Sequence, residues 1–344
     1  HITLISSPGI GVDLFILLSG YLMAKNYVER QHKEPWQRAE TIKKFWLRRF
    51  FRIAPLYYLL LAVALIYGPW FGEMRDTIAQ FYSGTATESS RYADQSFMNV
   101  LTHLSFLFGV LPAYGFNTTL PDWSIGLEMQ FYLLFPFMML AVMRFGYATA
   151  LLSMMALSCA GRYLLPDYYE AFEMPSMILI KLNMFISGML LAEAVRRKSL
   201  LYVLFALAGP AVSVLIGLGA IKLQVMLEAL MIIGMAAVLW QYQESSLMAK
   251  LIRIPRKVLN NRLSTWLGDV SFSVYLLHLL IVIPAIALLL NQTDIEYQND
   301  LTRFLIVCAV SIPVTYALAS LLFNCVEKPG IKLGKKFLAP RPAR

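Results

Sequence analysis

Apolar runs of about 17–25 residues recur along the whole chain, and a run of this length matches the hydrocarbon thickness of a bilayer. They are expected at residues 9–23, 54–71, 99–115, 123–143, 147–165, 176–194, 200–219, 223–240, 265–290 and 301–323, each bounded by charge or turn residues. With 58% hydrophobic and 15% charged residues among 344, no sizeable soluble domain fits between them. The expected fold class is all-α: a polytopic transmembrane helical bundle forming one integral-membrane domain over residues 1–344.

Lysine and arginine set the expected orientation. Between residues 23 and 55 nine basic residues face three acidic ones, which puts this segment in the cytoplasm together with the basic stretches 196–198, 250–262 and 328–344. The acidic connections 166–175 and 291–300 then lie on the far side. The expected location is the cytoplasmic (inner) membrane, with basic loops and C-terminus cytoplasmic. The net charge of +9 reads as a cytoplasmic rim that meets membrane lipids, not as a nucleic-acid footprint. The alternation fails by one crossing between residues 71 and 123. Residues 99–115, or part of 109–123 with Pro112, Gly115 and Pro121, are therefore expected to dip in and return, as a re-entrant segment that walls the site.

Cys159, Cys308 and Cys325 sit in apolar surroundings without a CxxC pair, which fits small core residues and neither a disulfide framework nor a metal site. The chain opens on His1 with no basic leader ahead of the first apolar run, so an upstream helix is expected to be missing. The stretch 337–344 reads as a basic disordered tail.

Several residues could carry chemistry. His1 is either a general base or a helix-end histidine. Asp13, inside an apolar run, would either orient an imidazole or cap the start of its helix. Arg49 and Arg52 are three apart and share a helical face, and Pro55 suits the first turn of the next span; guanidinium groups beside a helix N-terminus make a phosphate site, while a positive-inside anchor explains the bulk charge. Ser124, Glu128 and Tyr132 recur every four residues and line one face of a helix opened by Trp123; Glu128 is either functional or a hydrogen-bond acceptor between helices. Ser271, Tyr275 and His278 repeat the pattern, although a lone buried histidine is more often a satisfied core residue. Arg162, Lys181, Glu193, Glu228 and Asp269 receive no role. There is no Walker loop, GxSxG elbow or HExxH, so ATP-driven transport and metalloprotease chemistry lose support.

In order along the chain, these motifs resemble the acyltransferase type 3 family, membrane O-acyltransferases that modify surface polysaccharides and related glycans. Residues 11–22 (GVDLFILLSGYL) are similar to GVDxFFxxSGFL, 45–58 (FWLRRFFRIAPLYY) to FxxRRxxRIxPxY, 122–136 (DWSIGLEMQFYLLFP) to WSLxxExxFYxxFP, 271–278 (SFSVYLLH) to SYxxYLxH, and 327–329 (EKP) to a terminal ExP. Ile125 stands for the usual leucine and Tyr21 for the usual phenylalanine. The resemblance implies His1 as catalytic base, Glu128 as essential, and an acyl donor handled by Arg49 and Arg52; Asp13 or Glu128 is then expected to help orient the base. Ser19, Trp123, Tyr132, Tyr275 and His278 complete the expected donor-binding set. It further implies acetyl-CoA as the acyl donor, a hydroxyl of a glycan or lipid-linked sugar as acceptor, and no metal. The rival reading is a transporter or flippase of a glycan or lipid-linked substrate without acyl transfer.

Overall fold

A computed structural model describes residues 9–88, 90–215, 222–243 and 245–338, and the ordered elements among them are helices. In chain order they are α1 (Gly9–Arg30), α2 (Ala39–Ile66), α3 (Gly68–Phe81), α4 (Ser90–Ala93), α5 (Phe97–Leu104), α6 (Trp123–Phe145), α7 (Tyr147–Leu164) and α8 (Pro166–Glu170). The second half holds α9 (Ile178–Arg197), α10 (Leu200–Ala206), α11 (Ala208–Leu215), α12 (Lys222–Leu239), α13 (Leu247–Leu259), α14 (Arg262–Gln292), α15 (Asp300–Leu322) and, after a π-helical turn at Phe323–Glu327, α16 (Lys328–Leu338). Among the described residues, five helices are long and apolar enough to cross a membrane: α2, α6, α9, α14, and the run Asp300–Leu338. Large apolar side chains such as Leu59, Leu133, Phe137, Ile312 and Leu321 stand exposed on them, as lipid-facing positions do.

The chain divides into two compact units, 1–43 with 126–261 and 44–125 with 262–344. In the first, α9 is the central helix, and nearly all its residues from Ile178 to Ala194 are buried. It meets α1 backbone to backbone. A Cβ on Gly20 would lie 2.1 Å from the Phe185 carbonyl oxygen, and one on Gly188 would lie 2.1 Å from that of Leu17. Small residues at such a crossing are how apolar helices pack where the hydrophobic effect cannot choose a partner.

The expected run 200–219 is not one continuous helix: it breaks at Leu207, between α10 and α11. Pro210 has no N–H to give the Ala206 carbonyl, and the Ser187 hydroxyl donates to that oxygen instead, at 2.7 Å. Asn183 Nδ2 donates to the Gly209 carbonyl at 2.8 Å, and a Cβ on Gly209 would overlap Ser187 Oγ at 2.0 Å. One face of α9 thus repairs the break.

Helix α2, which belongs to the second unit from Lys44 onward, starts fifteen residues earlier than the expected span, at Ala39, and ends at Ile66 ahead of Gly68 and Pro69. Pro55 lies inside this helix, not in its first turn, so the N-terminus of α2 does not sit beside the arginines. The proline ring is accommodated by α16: a Cβ on Gly330 would lie 2.7 Å from Pro55 Cγ, and one on Gly334 would lie 2.7 Å from Phe51 Cβ. Neighbouring helices commonly re-settle the backbone around an intramembrane proline in this way. Phe337, expected in a disordered tail, stacks on Phe51 at 5.5 Å, and α16 runs to Leu338.

The segment expected to dip into the membrane consists of eight-residue α5 followed by 3₁₀ turns at Leu107–Val110 and Pro112–Tyr114. Eight helical residues rise about 12 Å, well short of a bilayer core of about 30 Å, so α5 does not cross. Tyr58 OH donates to the Leu104 carbonyl at 2.7 Å and Tyr57 OH to that of His103 at 3.3 Å, which ties the end of α5 to α2.

Candidate functional site

In the first unit, Glu128 sits on α6 with only 4% of its surface exposed. Its Oε1 accepts from Ser19 Oγ at 3.4 Å and from the Tyr132 hydroxyl. Ser19 and Tyr132, expected to bind donor, are therefore hydrogen-bond partners of this carboxylate. The i, i+4 spacing of residues 128 and 132 creates the second contact; the Gly20–Gly188 crossing belongs to the packing of α1, the helix that carries Ser19.

Asp13 lies in the second turn of α1 and is fully buried, so it does not cap the described start at Gly9. Lys181 Nζ approaches its Oδ1 to 2.6 Å and Gln224 Nε2 its Oδ2 to 3.1 Å. The same amide reaches Glu228 Oε1 at 3.2 Å, and Ser213 Oγ donates to Glu228 Oε2 at 3.2 Å. Asn183 Nδ2 continues the chain to Ser213 Oγ at 2.7 Å. Two buried carboxylates thus share the Gln224 amide in apolar surroundings, and the Lys181 ammonium pairs with one of them, Asp13. Lys181 and Glu228, left without a role by sequence reasoning, are the charges that complete this network. Their only local signal was an ionisable residue inside an apolar run.

In the second unit, Ser124 Oγ donates to Tyr275 OH at 2.7 Å, and Tyr275 OH donates to the Pro121 carbonyl at 2.9 Å. His278 Nδ1 lies 2.6 Å from the Tyr275 carbonyl, which can only accept, so Nδ1 carries a proton in this contact. Trp123 opens α6 and is half-buried.

The 271–278 motif also meets the 327–329 motif at Glu327. Ser273 Oγ donates to its Oε2 at 2.9 Å, and Arg52 supplies a positive charge that acts on it. Arg49 and Arg52 share a face of α2, as expected from their spacing, and the Arg49 guanidinium lies 5.6 Å from the Phe45 ring centre.

A further pair escaped sequence reasoning. His103 is fully buried, stacked on Phe108 at 4.5 Å, with Nδ1 2.8 Å from the Asn99 carbonyl and Nε2 3.5 Å from Asp122 Oδ2. Thr118 Oγ1 donates to the same Asp122 oxygen at 2.8 Å. Because Asn99 fixes the proton on Nδ1, the contact to Asp122 is attractive only when a proton lies between the two groups. Burial pushes the Asp122 carboxyl above the ordinary carboxylate range, against the pull of His103 and Thr118.

His1 lies outside the described residues. The cysteines that are described are free, and no group of three or more metal-ligating side chains occurs among the described residues.

The chain is 30% identical over 138 residues to the peptidoglycan O-acetyltransferase OatA of Listeria monocytogenes, a stretch that is 39% of this chain and 20% of that protein. It is 29% identical over 142 residues to the O-acetyltransferase OatA of Staphylococcus aureus, covering 38% of this chain and 20% of that protein. The match thus spans a fifth of the length of these curated relatives. No solved structure matches the chain. Residues 3–320 match the family described as Acyltransferase domain, nearly end to end, and the chain belongs to that family of acyltransferases.

Proposed function

We propose that this chain transfers an acyl group, acetyl in the first instance, from cytoplasmic acyl-CoA to a hydroxyl of an extracytoplasmic or lipid-linked glycan. In the transfer the acceptor oxygen bonds to the acyl carbon, the carbon–sulfur bond breaks, and the hydroxyl proton passes to a base while the sulfur leaves on coenzyme A. The resemblance assigns the base to His1. Arg49 and Arg52, on one face of α2, are the groups suited to the donor's phosphates. Tyr275 and His278 would line the path of its acyl arm, beside the Trp123 ring. The name of the Listeria relative suggests peptidoglycan as one acceptor.

The observation that carries this reading is Glu128, a carboxylate buried within an apolar helix and held by Ser19 and Tyr132, in a chain of the acyltransferase family. A buried intramembrane carboxylate is costly and is kept where chemistry needs it. The full-length protein in vesicles with radiolabelled acetyl-CoA and a glycan acceptor tests it. Label should enter the glycan and vanish in His1→Ala and Glu128→Ala. Glycan that crosses the vesicle membrane unlabelled would overturn the transferase reading in favour of a flippase.

A further inference from the structure

A cavity of about 390 Å³ opens in the second unit between α3, the last turns of α14 and the first turns of α15. This falls within the range of about 300–1,000 Å³ typical of ligand pockets. Ile78, Leu290 and Phe304 belong to its apolar walls, and Tyr82, Arg75 and Arg303 supply polar groups.

The two arginines differ. Arg303 is satisfied: its guanidinium bonds the Tyr82 hydroxyl and the Asp300 carboxylate and lies 5.3 Å from the Tyr82 ring centre. Arg75 is not. Its Nε is buried without a hydrogen-bond partner, and its side chain has no ion pair among the described residues. One carboxylate, Asp300, offsets two guanidinium groups among the lining residues, so the cavity carries an excess positive charge.

Location adds the second constraint. Both α14 and the run beginning at α15 are candidate membrane spans, and the cavity lies where they end and begin, beside the polar connection 293–299. That is the depth at which lipid headgroups meet hydrocarbon, where arginine and tyrosine commonly anchor. A water-soluble anion has no use for the apolar walls. A neutral chain has no use for Arg75.

We propose that this cavity binds an anionic membrane lipid, one hydrocarbon chain packed against Ile78, Leu290 and Phe304 and its phosphate held by Arg75 and Arg303. The inference goes beyond acyl transfer and does not depend on it.

Native mass spectrometry of the full-length protein released from neutral detergent tests it, with phosphatidylglycerol, phosphatidylcholine and inorganic phosphate as probes. One phosphatidylglycerol should be retained per chain, with about tenfold preference over phosphatidylcholine, whose phosphate can accept the same hydrogen bonds but whose quaternary ammonium is repelled by the two guanidinium groups. Arg75→Gln should erase the preference and Arg75→Lys should keep most of it, whereas Leu290→Trp should weaken both lipids. Equal retention of the two lipids by the unmodified protein would overturn the proposal without reference to any variant. So would a preference that survives Arg75→Gln, or inorganic phosphate that displaces phosphatidylglycerol at equal concentration, which would mark a plain anion site.

Discussion

Lys181 brings its ammonium nitrogen 2.6 Å from the carboxylate of Asp13, across 168 residues of sequence and with both side chains removed from solvent. Removing one partner of a buried ion pair typically costs about 3–5 kcal/mol, because the other charge is left uncompensated. Lys181→Met should therefore lower the thermal midpoint of the detergent-solubilised protein sharply. The double variant Asp13→Asn/Lys181→Met should recover a large part of the loss. A double variant as unstable as the single one would remove the ion pair from the account.

The crossing of α1 and α9 leaves no room for a side chain at Gly20 or Gly188. Gly188→Ala should push the helices apart and reduce the yield of monodisperse protein. Gly234→Ala, on α12 with nothing within 4 Å of the added carbon, should be neutral or stabilising by about 0.5–1 kcal/mol. Size-exclusion chromatography after graded heating separates the two cases.

Ser187 supplies the hydrogen bond that Pro210 cannot. Ser187→Ala should destabilise the protein by about 1–3 kcal/mol, the cost of a stranded buried carbonyl. Adding Pro210→Ala restores an N–H within reach of Ala206 and should return part of that loss. Equal melting of Ser187→Ala and the parent would show that the Ala206 carbonyl finds another donor.

Glu128 accepts hydrogen bonds from Ser19 and Tyr132, and a glutamine oxygen can accept them too. Glu128→Gln should keep the fold, read as an unchanged melting curve. If the negative charge serves acyl transfer, the same variant should lose labelling of the glycan. Full activity in Glu128→Gln would reduce the residue to a bridge between helices.

Burial raises the carboxyl of Asp122 above its unfolded value, so between the two values the folded chain holds a proton that the unfolded chain has released. Its contribution is fully present below the unfolded value and declines as pH rises through the native one. The melting temperature of the parent relative to Asp122→Asn should thus fall as pH rises above the ordinary carboxylate value of about 4. A difference that grows over the same interval would contradict the sign.

Much of this protein was legible in its residues because helices obey local rules. The apolar runs gave the helical membrane class, the four-residue spacing of Glu128 and Tyr132 put them in contact, and the three-residue spacing of Arg49 and Arg52 put them on one face. The motif order pointed to the acyltransferase family, which the match over residues 3–320 established.

What local rules could not supply is which helix meets which. Apolar helices are alike to one another in lipid, so their partners are decided by close packing at small residues, and only the folded chain reveals that Gly20 and Gly188 lie at the crossing of α1 and α9. Lys181 as the charge on Asp13, the Arg52 charge that acts on Glu327, and His103 against Asp122 are relationships that no local spacing rule connects. Pro55 is the same lesson in the backbone: by itself it reads as a helix start, yet Gly330 and Gly334 of α16 make room for Pro55 and Phe51, and the helix continues to Ile66.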